Sequence, residues 1–274
     1  SKIKEHIYTD PDGVYFSDKE LFSLSQEYNQ LSKLEVPETA KPKKPSAAEV
    51  KNLDDWRKRM EQTGPVTGRD QSYDKYVGAT AEAWKTFDND QKRALVSYTG
   101  SGYSNINKAL RTDQKEMLKD PRIANITTAI DKVSLQEDSW LVRGISANSL
   151  KRLFKVSDDV TPENISQFVG MTGQDKGFVS CGSAEGTGFI ATQVGLRIFA
   201  PKGTKAIYAE PFSNNGGTQR EAKWDGDTTR PGYVSVENET ILQRGTKFIC
   251  TDAKFDDDEM RYILNVAVVG QDYD

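Results

Sequence analysis

Histidine is almost missing from this sequence of 274 residues, in which His6 is the only one. Ser-His-Asp triads, Cys-His pairs and histidine-based zinc sites all need at least one well-placed imidazole ring. A residue so close to the start of the sequence is a poor candidate for that role, which argues against all three kinds of site. Acid or base chemistry near neutral pH must therefore come mainly from carboxylates.

Cysteines, net charge and long apolar runs are scarce as well. Cys181 and Cys250 are the only cysteines; they give no disulfide framework and favour a reducing, cytosolic setting. No apolar run approaches the length that spans a bilayer, and residues 1–10 carry no signal-peptide core. The net charge of -4 gives no reason to expect a nucleic acid or a membrane surface as partner. Aromatic residues make up 9%, which argues against wholesale disorder.

Residues 1–75 differ in composition from the rest of the sequence. The stretch from Val36 to Ala48 is rich in proline and lysine, which is typical of a linker or an extended arm. Apolar residues at helical spacing predict short helices over Asp18–Leu34 and Ser46–Met60, and Ser46 with Glu49 has the spacing of a capping box. We therefore expect an N-terminal extension over 1–75, separable from a catalytic domain over 76–274.

Helical patterns fill the first part of residues 76–274, and strand patterns fill the second. The predicted helices are Ala79–Phe87, Asp88–Tyr98, one beginning at Asn105–Leu110, and Asp120–Val133, where Pro121 has a favourable first-turn position. The predicted strands are Trp140–Arg143, Gly177–Cys181, Thr192–Phe199, Thr204–Glu210, Thr240–Gln243, Thr246–Thr251 and Tyr262–Val269. Helices followed by a run of strands indicate an α+β domain.

Two glutamates stand immediately before one of these strands, in Glu237-Asn238-Glu239. In extended backbone, residues i and i+2 point to the same side, so both carboxylates are expected to face one cleft. Neighbouring carboxylates can divide labour, because repulsion and different surroundings separate their pKa values. A solvated acidic turn is the alternative interpretation, and the tripeptide alone is a weak signal.

Two other predicted strands end in side chains suited to a nucleotide. Arg143 could bond two phosphate oxygens at once, and Gly144 would let a ligand approach the backbone closely. Ser180 could hold a carboxylate or a ribose hydroxyl. Taken singly, each segment favours the interpretation of an ordinary strand end. We interpret Cys181 as a small buried strand residue, because no histidine is available to activate it.

The order of these segments, Arg, then Ser, then Glu-x-Glu, resembles that of the toxin-type mono-ADP-ribosyltransferases. The stretches that carry the resemblance are Tyr98–Asn107, Leu141–Gly144, Phe178–Gly182 and Glu237–Phe248, of which the last is the most specific. They cover roughly residues 76–274. The sequence departs from the family where Ser-Thr-Ser becomes Ser180-Cys181-Gly182, and in the long stretch Phe212–Gly232, which is rich in Gly, Asn and Asp.

The resemblance implies an α+β fold in which two packed antiparallel sheets, with helices around them, form an NAD cleft. It implies transfer of ADP-ribose from NAD to arginine side chains of a target protein, with no metal. By position, Glu239 would stabilise the positive charge that develops on the ribose, and Ser180 would hold Glu239. Glu237 would orient or deprotonate the acceptor guanidinium; asparagine- and guanine-modifying relatives usually carry Gln at this position.

The remaining candidate residues bind substrates in the family that this sequence resembles. Arg143 would grip the NAD phosphates, and Gly144 would offer backbone groups to the nicotinamide amide. Phe189 is the candidate for stacking on nicotinamide, and Tyr233 is the candidate for contacting the target protein. The family resemblance also implies action in the cytoplasm of a target cell, after secretion or injection.

Three alternatives stay open at this point. An NAD glycohydrolase would use the same site with water as acceptor. A non-catalytic binding module would keep the fold without the chemistry, although Arg143, Ser180, Glu237 and Glu239 are all present. A structural protein of a toxin complex or a phage particle, with an enzymatic tail, is compatible with the Pro/Lys-rich stretch.

Overall fold

The computed structural model of the chain describes residues 46–187, 192–214, 224–229 and 237–273, and the backbone of two short strands. These strands, β1 (Ile7–Thr9) and β2 (Tyr15–Ser17), pair with each other antiparallel. The predicted helix over Asp18–Leu34 and most of the Pro/Lys-rich stretch lie outside the described residues, as does His6.

Helices fill most of the first half of the described chain. They are α1 (Ala47–Lys51), α2 (Leu53–Thr63), α3 (Arg69–Trp84), α4 (Asn89–Ser97), α5 (Tyr103–Thr112), α6 (Pro121–Asp131) and α7 (Ala147–Phe154). A π-helical turn, Tyr98–Gly102, joins α4 to α5, and short 3-10 turns occupy Met117–Lys119, Ile165–Phe168 and Glu210–Phe212.

Local sequence signals set several helix ends. The predicted capping box is confirmed: the Glu49 N–H donates to Ser46 Oγ at 3.2 Å, and the Ser46 N–H donates to Glu49 Oε2 at 2.6 Å. The helix predicted over Ser46–Met60 is broken at Asn52, whose Oδ1 accepts from the Asp55 N–H and thereby caps α2. Pro121 occupies the first turn of α6, as predicted.

The strands of the second half form one hydrogen-bonded sheet, and α7 and the last two 3-10 turns are inserted among them along the chain. The strands are β3 (Ser139–Ile145), β4 (Thr172–Asp175), β5 (Val179–Gly182), β6 (Val194–Ala200), β7 (Ala206–Tyr208), β8 (Glu239–Leu242), β9 (Thr246–Asp256) and β10 (Arg261–Gln271). Their order across the sheet is β4-β9-β10-β6-β3-β5-β8-β7. The predicted α+β class is confirmed.

The sheet has two parts, which correspond to the two sheets expected from the sequence. A five-stranded part (β4-β9-β10-β6-β3) meets a three-stranded part (β5-β8-β7) at a single residue pair, Val142 with Gly182. Two details differ from the expectation. The parts are joined by this pair instead of being separate, and β6 runs parallel to β10 whereas the other pairs are antiparallel.

Alternate residues of the three-stranded part serve two hydrophobic cores, because successive side chains of a strand point to opposite faces. Val179 and Leu242 pack into the core shared with the five-stranded part, with Leu141 and Leu196. The opposite face packs against α3 to α6 through residues that include Phe178, Ile207, Ile241, Tyr98 and Ile126. A polar side chain on this second face therefore lies on the side of the sheet that faces the helices.

The outer face of the five-stranded part is covered by α2. Trp56 and Met60 are buried there, with the Trp56 ring 6.1 Å from the Phe199 ring, and the Trp140 Nε1–H donates to the Met60 carbonyl at 2.8 Å. The predicted division at residue 75 falls inside α3. Folding of the catalytic domain without the N-terminal extension stays a prediction, but Trp56, Met60 and Tyr73, which lie within residues 1–75, contribute to the same cores as the strands.

Among the described residues, no helix is both long and apolar enough to cross a membrane.

Candidate active site

Ser180 and Glu239, both predicted from the sequence, lie on the helix-facing side of the three-stranded part. Each stands two residues from a core residue on that face, Phe178 and Ile241 respectively. In the antiparallel pairing of β5 with β8, Ser180 lies opposite Ile241 and Gly182 opposite Glu239. Glu239 is only 6% exposed, so its carboxyl is held in a desolvated position.

A chain of side-chain hydrogen bonds leads from α5 to Ser180. The Asn107 Nδ2–H donates to Tyr98 Oη at 3.1 Å, and Tyr98 Oη lies 2.9 Å from Ser180 Oγ. Tyr98 accepts from Asn107 and can donate its single proton to Ser180 Oγ or to the Phe178 carbonyl at 3.4 Å, and Ser180 also hydrogen-bonds to Glu239. The fully buried Tyr98 has its pKa raised to about 12 by burial and by the nearby Glu239 charge, so it stays protonated.

Burial also controls the ionisation of Glu239. The pKa of this carboxyl is raised to about 8, chiefly by desolvation and in smaller part by the charge of Glu237, while the Ser180 hydroxyl and the Arg143 guanidinium act in the opposite direction. Glu210 adds a smaller upward effect. The carboxyl therefore stays largely protonated until the pH approaches about 8, and an added positive charge beside it would favour the ionised form.

Arg143 lies between the carboxylates and a large cavity. Its Nη1–H donates to the Ser180 carbonyl at 2.6 Å, across the join between the two parts of the sheet. A cavity of about 750 Å³ is lined by Arg143 and Gly144 together with Arg197 and Arg261. Ser180 and Glu239 are not in its lining, so Arg143 lies at the boundary between the cavity and the carboxylates.

Glu237 is near Glu239, but for a different reason from the one that the sequence suggested. The expectation of extended backbone through the tripeptide is wrong: Asn238 has φ 49°, in the left-handed region. Asparagine tolerates this region better than most residues, because its short polar side chain can bond locally. Glu237 is half-buried and close enough for its charge to raise the pKa of Glu239.

A third carboxylate close to the pair had no signal in the sequence analysis. Glu210, fully buried in the 3-10 turn after β7, accepts from Arg69 Nη2 of α3 at 2.9 Å. The neighbouring Ala209 N–H donates to the Glu239 carbonyl at 2.8 Å. Only the fold brings Arg69, Glu210 and Glu239 together, since they lie far apart in the sequence.

Comparison with known proteins gives a family. The profile of the ADP-ribosyltransferase exoenzyme family matches residues 49–270. The chain belongs to this family. No curated protein matches the sequence.

Several solved structures share the fold. Plx2a, an ADP-ribosyltransferase toxin from Paenibacillus larvae, has a TM-score of 0.59 and 21% identity over 75% of this chain and 98% of its own. The C3 exoenzyme of Clostridium limosum has a TM-score of 0.59 and 18% identity over 75% and 97% of the two chains. C3stau2 from S. aureus, solved with NAD, has a TM-score of 0.58 and 18% identity over 76% and 99%.

The departure from the family's Ser-Thr-Ser sequence has a steric cause in this ADP-ribosyltransferase. A Cβ atom at Gly182 would lie 2.5 Å from Thr187 Oγ1 and 2.7 Å from the Thr187 backbone carbon. The Thr187 hydroxyl is itself fixed, because it donates to the Ala184 carbonyl at 2.6 Å. A serine at position 182 would therefore require the loop after β5 to move. Cys181 is buried, and desolvation raises its pKa to about 12, so it is not a thiolate nucleophile.

Two predicted substrate contacts, Phe189 and Tyr233, lie outside the described residues. Part of the long stretch before Glu237 is described, however. Trp224 packs against Trp84 of α3 with ring centroids 5.5 Å apart, and its carbonyl accepts from Trp84 Nε1 at 3.1 Å. Among the described residues, no group of three or more acidic, cysteine or histidine side chains could hold a metal ion.

Proposed function

We propose that this ADP-ribosyltransferase transfers ADP-ribose from NAD to an arginine side chain of a target protein, with release of nicotinamide. The observation that carries the proposal is Glu239, a buried carboxyl with a pKa raised to about 8, beside a second glutamate and an arginine at the edge of a large cavity. Perturbed carboxylates in such a position are typical of catalytic sites.

The reaction breaks the bond between ribose C1′ and the nicotinamide nitrogen, and the electron pair goes to the nicotinamide ring. A new bond then forms between C1′ and a guanidinium nitrogen, which loses a proton. Two tasks follow for the protein. One is to stabilise positive charge at the ribose, and the other is to take up the acceptor proton.

Glu239 suits the first task. A carboxylate in a desolvated position acts strongly on a developing positive charge, because little water screens it. Ser180 keeps the carboxyl in place, because its hydroxyl hydrogen-bonds to both Tyr98 and Glu239. Asn107 and Tyr98 are thereby positioning residues for Ser180 in this proposal.

Arg143 and Gly144 suit the grip on NAD. The guanidinium is already oriented by its bond to the Ser180 carbonyl, and both residues line the cavity. A planar guanidinium can bond two phosphate oxygens at once, which a lysine cannot do. The family pattern further assigns stacking on nicotinamide to Phe189 and contact with the target protein to Tyr233.

Glu237 suits the second task. A guanidinium has a pKa above about 12 and is a poor nucleophile until a proton is drawn away. Glu237 is more exposed than Glu239, so it can meet an acceptor that approaches from solvent. Water as acceptor needs this help much less, so Glu237 would matter for transfer more than for hydrolysis of NAD.

Paired glutamine variants test the assignment, because Gln keeps the shape and removes the charge. We expect Glu239→Gln to lose both NAD hydrolysis and transfer by a factor on the order of a hundred or more. Glu237→Gln should lose transfer and keep most of the hydrolysis. The assay follows labelled NAD with a cell lysate and maps the modified residues; exposed Glu163→Gln is the control.

Each outcome decides something specific. Hydrolysis near the wild-type rate in Glu239→Gln would exclude its role at the ribose. Transfer at the wild-type rate in Glu237→Gln would exclude arginine as the acceptor. Hydrolysis by the wild type without any transfer to protein would favour an NAD glycohydrolase.

A further inference from the structure

The residue between the two glutamates is unusual for its position. Asn238 is fully buried, although it is polar and stands at a bend beside the proposed reaction centre. Its backbone has φ 49°, and its side chain is bonded at both ends. Oδ1 accepts from the Tyr208 hydroxyl at 2.5 Å, and Nδ2 donates to Ser72 Oγ at 2.6 Å.

Ser72 also hydrogen-bonds to Tyr208, so Asn238, Tyr208 and Ser72 form one hydrogen-bonded cluster. Burial, and the nearby Glu210 charge, raise the pKa of Tyr208, so its hydroxyl is protonated and donates to Asn238. Ser72 accepts from Asn238 and donates its own proton to the Arg69 carbonyl at 3.0 Å. The Asn238 side chain is therefore clamped between β7 and the first turn of α3.

The backbone on both sides of Asn238 is fixed by the same structural elements. The Asn238 carbonyl accepts from the Ser183 N–H at 2.9 Å, and the Glu239 carbonyl accepts from the Ala209 N–H at 2.8 Å. Arg69, one turn before Ser72, bonds Glu210 next to Ala209. These bonds form a closed circuit that joins α3, the turn after β7 and the start of β8.

The circuit determines how the two glutamates are placed relative to each other. A left-handed residue turns the chain sharply, so Glu237 leaves the strand direction that Glu239 begins. Were Asn238 to relax to extended backbone, Glu237 would swing to a new position, while Glu239 would stay anchored in β8. The clamp on Asn238 therefore holds Glu237 specifically.

We propose that Asn238 is a positioning residue: Tyr208 and Ser72 clamp its side chain, and the clamp fixes Glu237 beside Glu239 and sets the ratio of ADP-ribose transfer to NAD hydrolysis. The inference rests on the proposed function. It extends the site to α3, a helix that supplies no residue to the Arg, Ser and Glu-x-Glu motifs.

Three variants loosen the clamp in different ways. Tyr208→Phe removes one hydroxyl and keeps the ring, Ser72→Ala removes the partner of Nδ2, and Asn238→Gly keeps access to positive φ without the side chain. Tyr76→Phe is the matched control, because this buried tyrosine packs 5.7 Å from the Tyr208 ring and its hydroxyl is not bonded to Asn238. Transfer to the guanidine compound agmatine and hydrolysis of NAD are measured on the same samples, below the melting temperature of each variant.

We expect the ratio of transfer to hydrolysis to fall by about tenfold or more in each clamp variant, with hydrolysis within about threefold of the wild type. The fall should appear mainly in kcat for transfer. Tyr76→Phe should keep the wild-type ratio.

An unchanged ratio in Tyr208→Phe and Ser72→Ala would overturn the proposal, and so would a parallel loss of both activities, since that is what general destabilisation produces. If one variant does not fold, the other decides alone. A wild-type protein that hydrolyses no NAD would refute the proposed function instead, and the inference with it.

Discussion

Replacement of Glu239 by glutamine should have opposite effects on activity and on stability. The carboxyl is 6% exposed and keeps its proton up to a pKa of about 8, whereas its ordinary pKa is 4.5. Between those pH values the unfolded chain has released a proton that the folded protein still holds. Rising pH therefore favours the unfolded state across this window. Glutamine cannot ionise, so Glu239→Gln removes the dependence.

The size of the effect follows from the two pKa values. Each tenfold difference in an ionisation constant corresponds to about 1.4 kcal/mol, so the interval from 4.5 to about 8 corresponds to at most about 5 kcal/mol. The contribution of the protonated Glu239 carboxyl to the unfolding free energy is fully present below pH 4.5 and is lost as the pH rises through about 8. Relative to the wild type, the glutamine variant should therefore gain several kcal/mol of unfolding free energy between the two limits.

Urea unfolding gives the unfolding free energies of the wild type and of Glu239→Gln at about pH 5 and at about pH 8.5. The difference between the two proteins should grow from the lower to the higher pH by the gain given above. Glu163→Gln provides the control, because this exposed glutamate should show no such change. A stability difference for Glu239→Gln that is constant with pH would mean that the carboxyl ionises at its ordinary pKa. The argument from desolvation would then be refuted.

Three further outcomes are expected. NAD carries a positive charge on its nicotinamide ring, so binding beside Glu239 should lower the pKa of that carboxyl and release a proton near neutral pH; calorimetry in buffers of different ionisation enthalpy would detect it, and binding without proton release would argue against this placement. Arg143→Lys should weaken NAD binding on the order of tenfold, measured by calorimetry, whereas Arg93→Lys, at an exposed arginine outside the cavity lining, should not; equal affinities would exclude a bidentate phosphate contact. A chain that begins at Ser46 should fold. A chain that begins at Tyr76 should be less stable, because it lacks Trp56, whose buried side chain alone contributes about 3–5 kcal/mol to the unfolding free energy. Equal unfolding free energies of the two chains in urea would support the division at residue 75.

The elements that the sequence predicts well are those with a strong apolar pattern. The strand predicted over Trp140–Arg143 lies within β3, where Ser139, Leu141 and Ile145 are buried, and the helix that begins at Pro121 has its apolar face in the core. In contrast, β4 (Thr172–Asp175) has no apolar side chain, because it is an edge strand that pairs only with β9. A pattern of buried residues cannot find such a strand.

The residues of the candidate site also fall into two groups, those that the sequence predicts and those that only the fold brings together. The sequence predicts Arg143, Ser180, Glu237 and Glu239 because their order and their flanking residues resemble those of a known family, although each motif alone is a weak signal. It could not supply Glu210 or Arg69, whose relevance depends on contacts across more than a hundred residues of chain. The left-handed backbone at Asn238 is an intermediate case. Asparagine before a strand is compatible with it, but only the partners of the side chain, Tyr208 and Ser72, select it.

The single residue pair between the two parts of the sheet has a consequence for folding. Because only Val142 and Gly182 pair across the junction, little backbone pairing fixes the register of the two parts. Arg143 donates to the Ser180 carbonyl at this same junction. The proposed catalytic groups come from strands far apart along the chain, so long loops must close before they can meet. During refolding, secondary structure in each part should therefore return before NAD binding does. Recovery of NAD binding should then report the docking of the two parts of the sheet.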